Sequence, residues 1–210
     1  LKKGIIFDMD GTLWDSSRQV CHAWDIAAAK CGYRRAPITT EEMQGVMGKT
    51  MDVIAEILFP FTEGERRQEL LKVCCEEENR YLRENGGILY PDIRPTMEKL
   101  KDRYHLYIVS NCQAGYIEAF LDYYRMWDLI EDIECYGNNG KPKGDNIALL
   151  YQRNALGTAA YVGDIQGDYD ASRQAGVKFI HAAYGFGTIA DPVPAIRSFS
   201  ELPEAAADIL

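Results

Sequence analysis

The sequence predicts an α/β fold, a parallel sheet covered by helices on both faces, with a helical domain inserted near its start. Three observations carry this. Short, β-rich apolar runs recur and stop at small or turn-forming residues. Helical patterns separate the later runs. One long stretch between the first run and the second holds helical patterns and no convincing strand.

The first run, residues 4–9, is stopped by Gly11 and fits a buried strand better than a helix. Residues 105–110, 133–136, 159–163 and 177–182 repeat the pattern, nearly continuous in apolar character as strands buried on both faces are. Helical patterns lie between and after them, over 95–102, 114–124, 145–154 and 168–175, so strand and helix alternate. The inserted stretch, residues 16–85, has helical segments at 17–31, 40–46, 51–58 and 65–84. Its bounds are the turn after Trp14-Asp15 and the Asn85-Gly86-Gly87 break before Tyr90-Pro91, which divides the chain into 1–15 with 86–210, and 16–85. The alanines at 205–207 read as a terminal helix, and no internal repeat stands out.

A chain of 210 residues with 47% hydrophobic content can bury an ample core, which excludes disorder as its main state. No run of 18 apolar residues occurs, and Leu1-Lys2-Lys3-Gly4 leads into a strand instead of a signal-peptide core, so a soluble cytoplasmic protein is expected. The six cysteines (Cys21, Cys31, Cys74, Cys75, Cys112, Cys135) have no CxxC spacing and read as reduced thiols. The formal charge of −9 argues against nucleic acid and anionic membranes as main partners, because both need a basic stripe. A small phosphorylated metabolite stays open to it, since a few local donors and a metal ion suffice. No pattern specifies an oligomeric state.

The chemistry collects at strand ends. Asp8-Met9-Asp10-Gly11-Thr12 closes the first strand, and residues two apart on a strand face the same way about 7 Å apart. Ligands of open α/β sheets bind at the carboxyl ends of strands, although Asp and Gly after a strand often make only a turn. Gly163-Asp164-Ile165-Gln166-Gly167-Asp168 puts more carboxylates at another strand end. Like charges about 4 Å apart repel by roughly 4 kcal/mol at an effective dielectric of 20, so convergent Asp8, Asp10 and Asp164 call for a cation. Oxygen-only ligands favour Mg2+. Ser110-Asn111 ends a further strand and offers a hydroxyl and backbone N–H groups to phosphate, though such a dipeptide also caps helices. Lys143, opening a helix, is the preferred source of a neutralising ammonium, with Lys141, before Pro142, as the competing candidate.

In this order the motifs resemble those of the haloacid dehalogenase superfamily of aspartate-nucleophile phosphatases, over nearly the whole chain. DMDGT is similar to its first motif, Ser110-Asn111 to the second, Lys143 or Lys141 to the third, and GDIQGD to the fourth. DGTLWDS is similar to the phosphoglycolate phosphatase-like branch. The resemblance implies a Rossmann-like core with the insertion as a small helical cap. It also implies a Mg2+-dependent phosphatase acting on small phosphomonoesters, phosphoglycolate-like or sugar-phosphate-like. Asp8 would attack phosphorus and Asp10 would shuttle protons. The ion would be held by Asp8, the carbonyl of Asp10 and Asp164, with Asp168 holding a metal water or orienting the lysine. Thr12, Ser110 and the backbone of Asn111 would grip phosphate. Where the family's third motif often carries a second proline, this chain has Gly144. The acid at Asp10 speaks against dehalogenation.

In the insertion, Gly45-Val46-Met47-Gly48-Lys49-Thr50 interrupts the helical patterns. Lys49 there either reads a substrate carboxylate or hydroxyl, or is a solvated lysine on a connecting loop. Trp24 is expected to pack, while Trp14 either packs or lines a cleft; His22 and His181 are not needed by the chemistry, and the Tyr184-Gly185-Phe186-Gly187 loop either approaches the site or turns away. Two other functions compete: a phosphomutase, which passes the phosphoryl group to a second hydroxyl, and a binding protein that kept the fold without turnover.

Overall fold

Along β1 (Lys3–Phe7), side chains alternate between two apolar layers, Ile5 and Phe7 entering one and Ile6 the other. The computed structural model describes residues 1–210. Its sheet has six parallel strands in the order β5-β4-β1-β6-β7-β8: besides β1 these are β4 (His105–Ser110), β5 (Asp132–Cys135), β6 (Thr158–Gly163), β7 (Lys178–Ala182) and β8 (Ala195–Ile196). Pairing Phe7 with Ile108 on one side and with Val162 on the other fixes the register that sets Asp8, Ser110 and Asp164 at one edge. Both faces are covered, which is why the central strands β1, β4 and β6 are largely apolar. Ile6, Tyr107, Val109 and Tyr161 pack under α8 (Lys143–Arg153) and α9 (Gln166–Ala175). The opposite face meets α5 (Ile93–Leu100), α6 (Tyr116–Tyr124) and α10 (Leu202–Ile209).

Between β1 and β4 the chain forms α1 (Ser17–Lys30), α2 (Thr40–Gln44), α3 (Met51–Leu58) and α4 (Gly64–Asn85), none of which adds a strand to the main sheet. α2 starts with a reciprocal cap: Thr39 Oγ1 accepts from Glu42 N at 3.1 Å and Glu42 Oε2 accepts from Thr39 N at 2.8 Å. α4 packs along α1 and reaches α6, where Arg83 pairs with Asp122 at 3.0 Å.

Several details differ from the sequence reading. A two-residue antiparallel ribbon, β2 (Trp14–Asp15) with β3 (Ile88–Leu89), closes the base of the insertion. β8 extends the sheet, and Tyr136 begins the short α7 (Tyr136–Asn139) instead of ending β5. α5 starts at Ile93, ahead of Pro95, because proline fits a helix's first turn. α6 starts at Tyr116 because Gly115, at φ +91°, turns the chain first. No helix is long and apolar enough to cross a membrane.

Candidate active site

Asp8 leaves the end of β1 on the α8 side of the sheet and is buried. Its Oδ1 accepts from Lys143 Nζ at 2.9 Å, and the same ammonium donates to Asp168 Oδ1 at 2.6 Å. Pro142 sets the start of α8 so that Lys143 is its first residue, buried and aimed at the strand ends. Lys141 lies outside the helix with an exposed side chain, so of the two candidates only Lys143 reaches Asp8. Gly144 lets α8 approach α9 closely: a Cβ there would lie 3.2 Å from Ala171 O and 2.5 Å from the side chain of Gln174.

The carboxylates of Asp8, Asp164 and Asp168 offer oxygens within 4.8 Å of one another. They are not equally free. Asp168 Oδ2 accepts from the backbone N–H groups of Asp164 (3.0 Å) and Ile165 (3.2 Å), and its other oxygen holds Lys143. Asp164 Oδ2 accepts from Phe186 N at 2.7 Å, whereas its Oδ1 is buried without a partner. An orphaned carboxylate oxygen beside a second carboxylate, with oxygen donors only, fits a hard divalent cation such as Mg2+. Burial, then the charges of Asp168 and Asp8, push the Asp164 carboxyl up to about 8. Asp8 is likewise raised, by burial and then by Asp168, with Lys143 opposing. On Lys143, burial works against the charge, but Asp168 and Asp8 outweigh it and hold the ammonium above its ordinary range.

Asp10 turns its carboxylate away from this trio. It accepts from Ser16 Oγ at 2.6 Å and from Tyr116 Oη at 2.7 and 2.8 Å. Burial lifts it to about 6, and the bonds from Ser16 and Tyr116 restrain the rise. Gly11, at φ +82°, makes the turn between them, and a Cβ there would fall on the Asp164 carboxylate. Thr12 Oγ1 is buried and unpartnered, and Ser110 is buried. Asn111 Nδ2 donates to Gly48 O at 2.9 Å, which ties the loop before α3 over the strand ends.

Under that loop lies a cavity of about 30 Å3 lined by Asp10, Ser110, Asn111 and Tyr116 from the sheet body and by Trp24, Lys49 and Glu78 among others from the insertion. It has room for a water or two. Lys49 is exposed and Trp24 is buried, stacked on Phe59, with Nε1 donating to Glu78 Oε2. Burial pushes the Glu78 carboxyl up to about 7, the bond from Trp24 opposing. Sequence reasoning missed Ser16, Tyr116 and Glu78. Only Glu78 left a trace: it stands on the Leu70, Cys74, Leu82 stripe of α4, a charged residue at core spacing.

The remaining singled-out residues resolve simply. Trp14 packs edge-on against Tyr116 and Phe120, His22 lies against Tyr81, and His181 Nε2 is 3.2 Å from Asp164 O. The 184–187 loop does approach the site, through Phe186 N and through Tyr184 Oη, which donates to Thr12 O at 2.8 Å. All six cysteines are free.

The chain resembles known proteins in sequence and in fold. A family model described as haloacid dehalogenase-like hydrolase matches residues 5–182. A phosphoglycolate phosphatase of Aliivibrio fischeri is 27% identical over 210 residues, covering 93% of this chain and 92% of its own. Among solved structures, one described as a haloacid dehalogenase-like hydrolase from Bacteroides fragilis superposes with a TM-score of 0.82 at 26% identity, over 96% of this chain and 100% of that one. Another, a predicted phosphoglycolate phosphatase from Haemophilus somnus 129pt, gives 0.81 at 20% identity over 98% of each and shows the shared fold.

Proposed function

From the premise that the chain belongs to the haloacid dehalogenase-like hydrolases and is a phosphatase, we propose that it hydrolyses small phosphomonoesters through an aspartyl-phosphate on Asp8, with Mg2+ as cofactor. The observation that carries this is the setting of Asp8, a buried carboxylate bonded to Lys143 and standing beside the unpartnered Oδ1 of Asp164. Asp8 attacks phosphorus while Asp10, its carboxyl raised toward neutrality, protonates the leaving alcohol oxygen; the resulting carboxylate of Asp10 then takes a proton from the water that cleaves the acyl phosphate. Tyr116 and Ser16 orient Asp10 for both transfers. Lys143 balances phosphate charge and keeps Asp8 in place, and Thr12, Ser110 and the Asn111 N–H supply donors to the phosphate oxygens.

Asp8, Asp164 and the Asp10 carbonyl would hold the ion, Asp168 acting through Lys143 and the Asp164 backbone. When bound, the ion offsets the negative charge of the carboxylates and phosphate. Residues 16–85 act as a cap, and because the cavity beneath is smaller than a phosphoester, substrate enters by displacement of the cap.

The test is phosphate release from a panel of phosphorylated metabolites with and without Mg2+, for the wild type and for Asp8→Asn. The variant should lose about 10^4-fold or more in kcat. Full activity in Asp8→Asn would refute the assignment of the nucleophile, and formation of an isomeric sugar phosphate in place of free phosphate would indicate a mutase.

A further inference from the structure

Part of the cavity wall consists of hydrogen-bond acceptors without donors. Asn79 Nδ2 donates to Ala114 O at 2.8 Å, which turns its Oδ1 toward Gln113. Gln113 answers with Nε2 at 2.9 Å, so its own Oε1 is the free end, buried and unpartnered. Asn111 is oriented by the same logic: Nδ2 is committed to Gly48 O, and Oδ1 is buried with no partner. Between the two insertion helices α1 and α4, Glu78 adds a buried carboxylate that accepts from Trp24 Nε1 and lies beside the Gln113 amide. Gln113, Asn111 and Glu78 all line the one cavity, and its only cationic neighbour is the exposed Lys49.

Leaving an acceptor buried and unpaired costs about 1–3 kcal/mol, so such a wall favours a ligand that brings donors. A neutral hydroxyl satisfies a carbonyl oxygen or a carboxylate. With Glu78 ionised, a ligand carboxylate would instead face that carboxylate and the oxygen ends of two amides, a like-charge and acceptor-to-acceptor juxtaposition. We infer, resting on the phosphatase reading above, that Glu78, Gln113 and Asn111 select phosphomonoesters whose alcohol half carries neutral hydroxyls, as sugar and polyol phosphates do. The same wall rejects carboxylate-bearing esters such as phosphoglycolate, with Glu78 as the specificity-determining residue.

Three two-carbon esters differing in one group test this: 2-hydroxyethyl phosphate, 2-phosphoglycolate and 2-aminoethyl phosphate, each assayed for kcat/KM with Mg2+. The wild type should prefer the hydroxyethyl ester over phosphoglycolate by about tenfold or more, and Glu78→Gln should narrow that ratio by about tenfold. If Glu78→Gln does not fold by circular dichroism, Gln113→Leu is read in its place and should narrow the ratio likewise. Equal or greater turnover of phosphoglycolate by the wild type, or an unchanged ratio in a folded variant, would overturn the inference. Preference for the aminoethyl ester would overturn it too, by making the wall a cation reader. Failure of all three esters together with the wider metabolite panel would count against the phosphatase reading instead.

Discussion

Replacing Asp164 with Asn removes one of three buried carboxylates and tests the cation site without measuring turnover. The oxygens of Asp8, Asp164 and Asp168 lie within 4.8 Å of one another, and two unit charges at that distance repel by about 3.5 kcal/mol at an effective dielectric of 20. Lys143 is bonded to Asp8 and Asp168 but not to Asp164, so the repulsion involving Asp164 is the least compensated. Its carboxyl is accordingly raised from 3.8 to about 8. A carboxyl that binds its proton more tightly in the folded state stabilises the fold below its unfolded pKa, and that stability is lost as pH rises through the folded value. Without metal the wild type should therefore weaken between about pH 4 and pH 8 and level off above. At pH 9 in EDTA, Asp164→Asn should be more stable than the wild type by about 1–3 kcal/mol, whereas at pH 5 the two should agree within about 1 kcal/mol. Mg2+ should raise the thermal midpoint of the wild type at pH 9 and leave that of the variant nearly unmoved. Thermal unfolding followed by circular dichroism in EDTA and in Mg2+ reads both effects. A variant less stable than the wild type at pH 9 in EDTA, or equal Mg2+ responses, would refute the reasoning.

Lys143→Met leaves two buried carboxylates without their cation and should destabilise the fold by about 3 kcal/mol as well as lowering kcat/KM, while Lys141→Met should stay within about 0.5 kcal/mol in denaturant titration. Tyr116→Phe removes a donor to the Asp10 carboxylate, which favours its protonated form; the alkaline limb of kcat/KM should move upward by as much as about one pH unit. Gly11→Ala should lose at least about 1 kcal/mol in chemical denaturation and weaken Mg2+ binding, because the backbone is at φ +82° and the new Cβ meets Asp164.

The sheet was legible because its strands are buried on both faces and so are written as nearly uninterrupted apolar runs: β4 has the bounds the sequence reading gave it, and β1 and β6 differ by a residue or two at their ends. The acids at the strand ends were legible for the same reason, since a carboxylate after such a run has few structural uses. Pairs of two residues leave no period to detect, so β2, β3 and β8 went unread; their pairing comes from the neighbours across the ribbon and from β7. The choice between Lys141 and Lys143 depended on the residue at which α8 begins, and one residue there decides whether an ammonium is buried or solvated. Tyr116 and Ser16 meet Asp10 only through tertiary packing, and nothing in their spacing announces it.

The ribbon that pairs Trp14 with Leu89 also bears on how this chain assembles. The first and second strands of the sheet must find each other with Gly4 opposite His105, a separation of about one hundred residues whose closure is entropically unfavourable. Once Trp14 and Leu89 are zipped, the intervening helices no longer count toward that separation, and the effective loop falls to roughly a quarter of its length. The saving is about 1 kcal/mol in closure entropy, so a chain that cannot form those two residue pairs should refold several-fold more slowly.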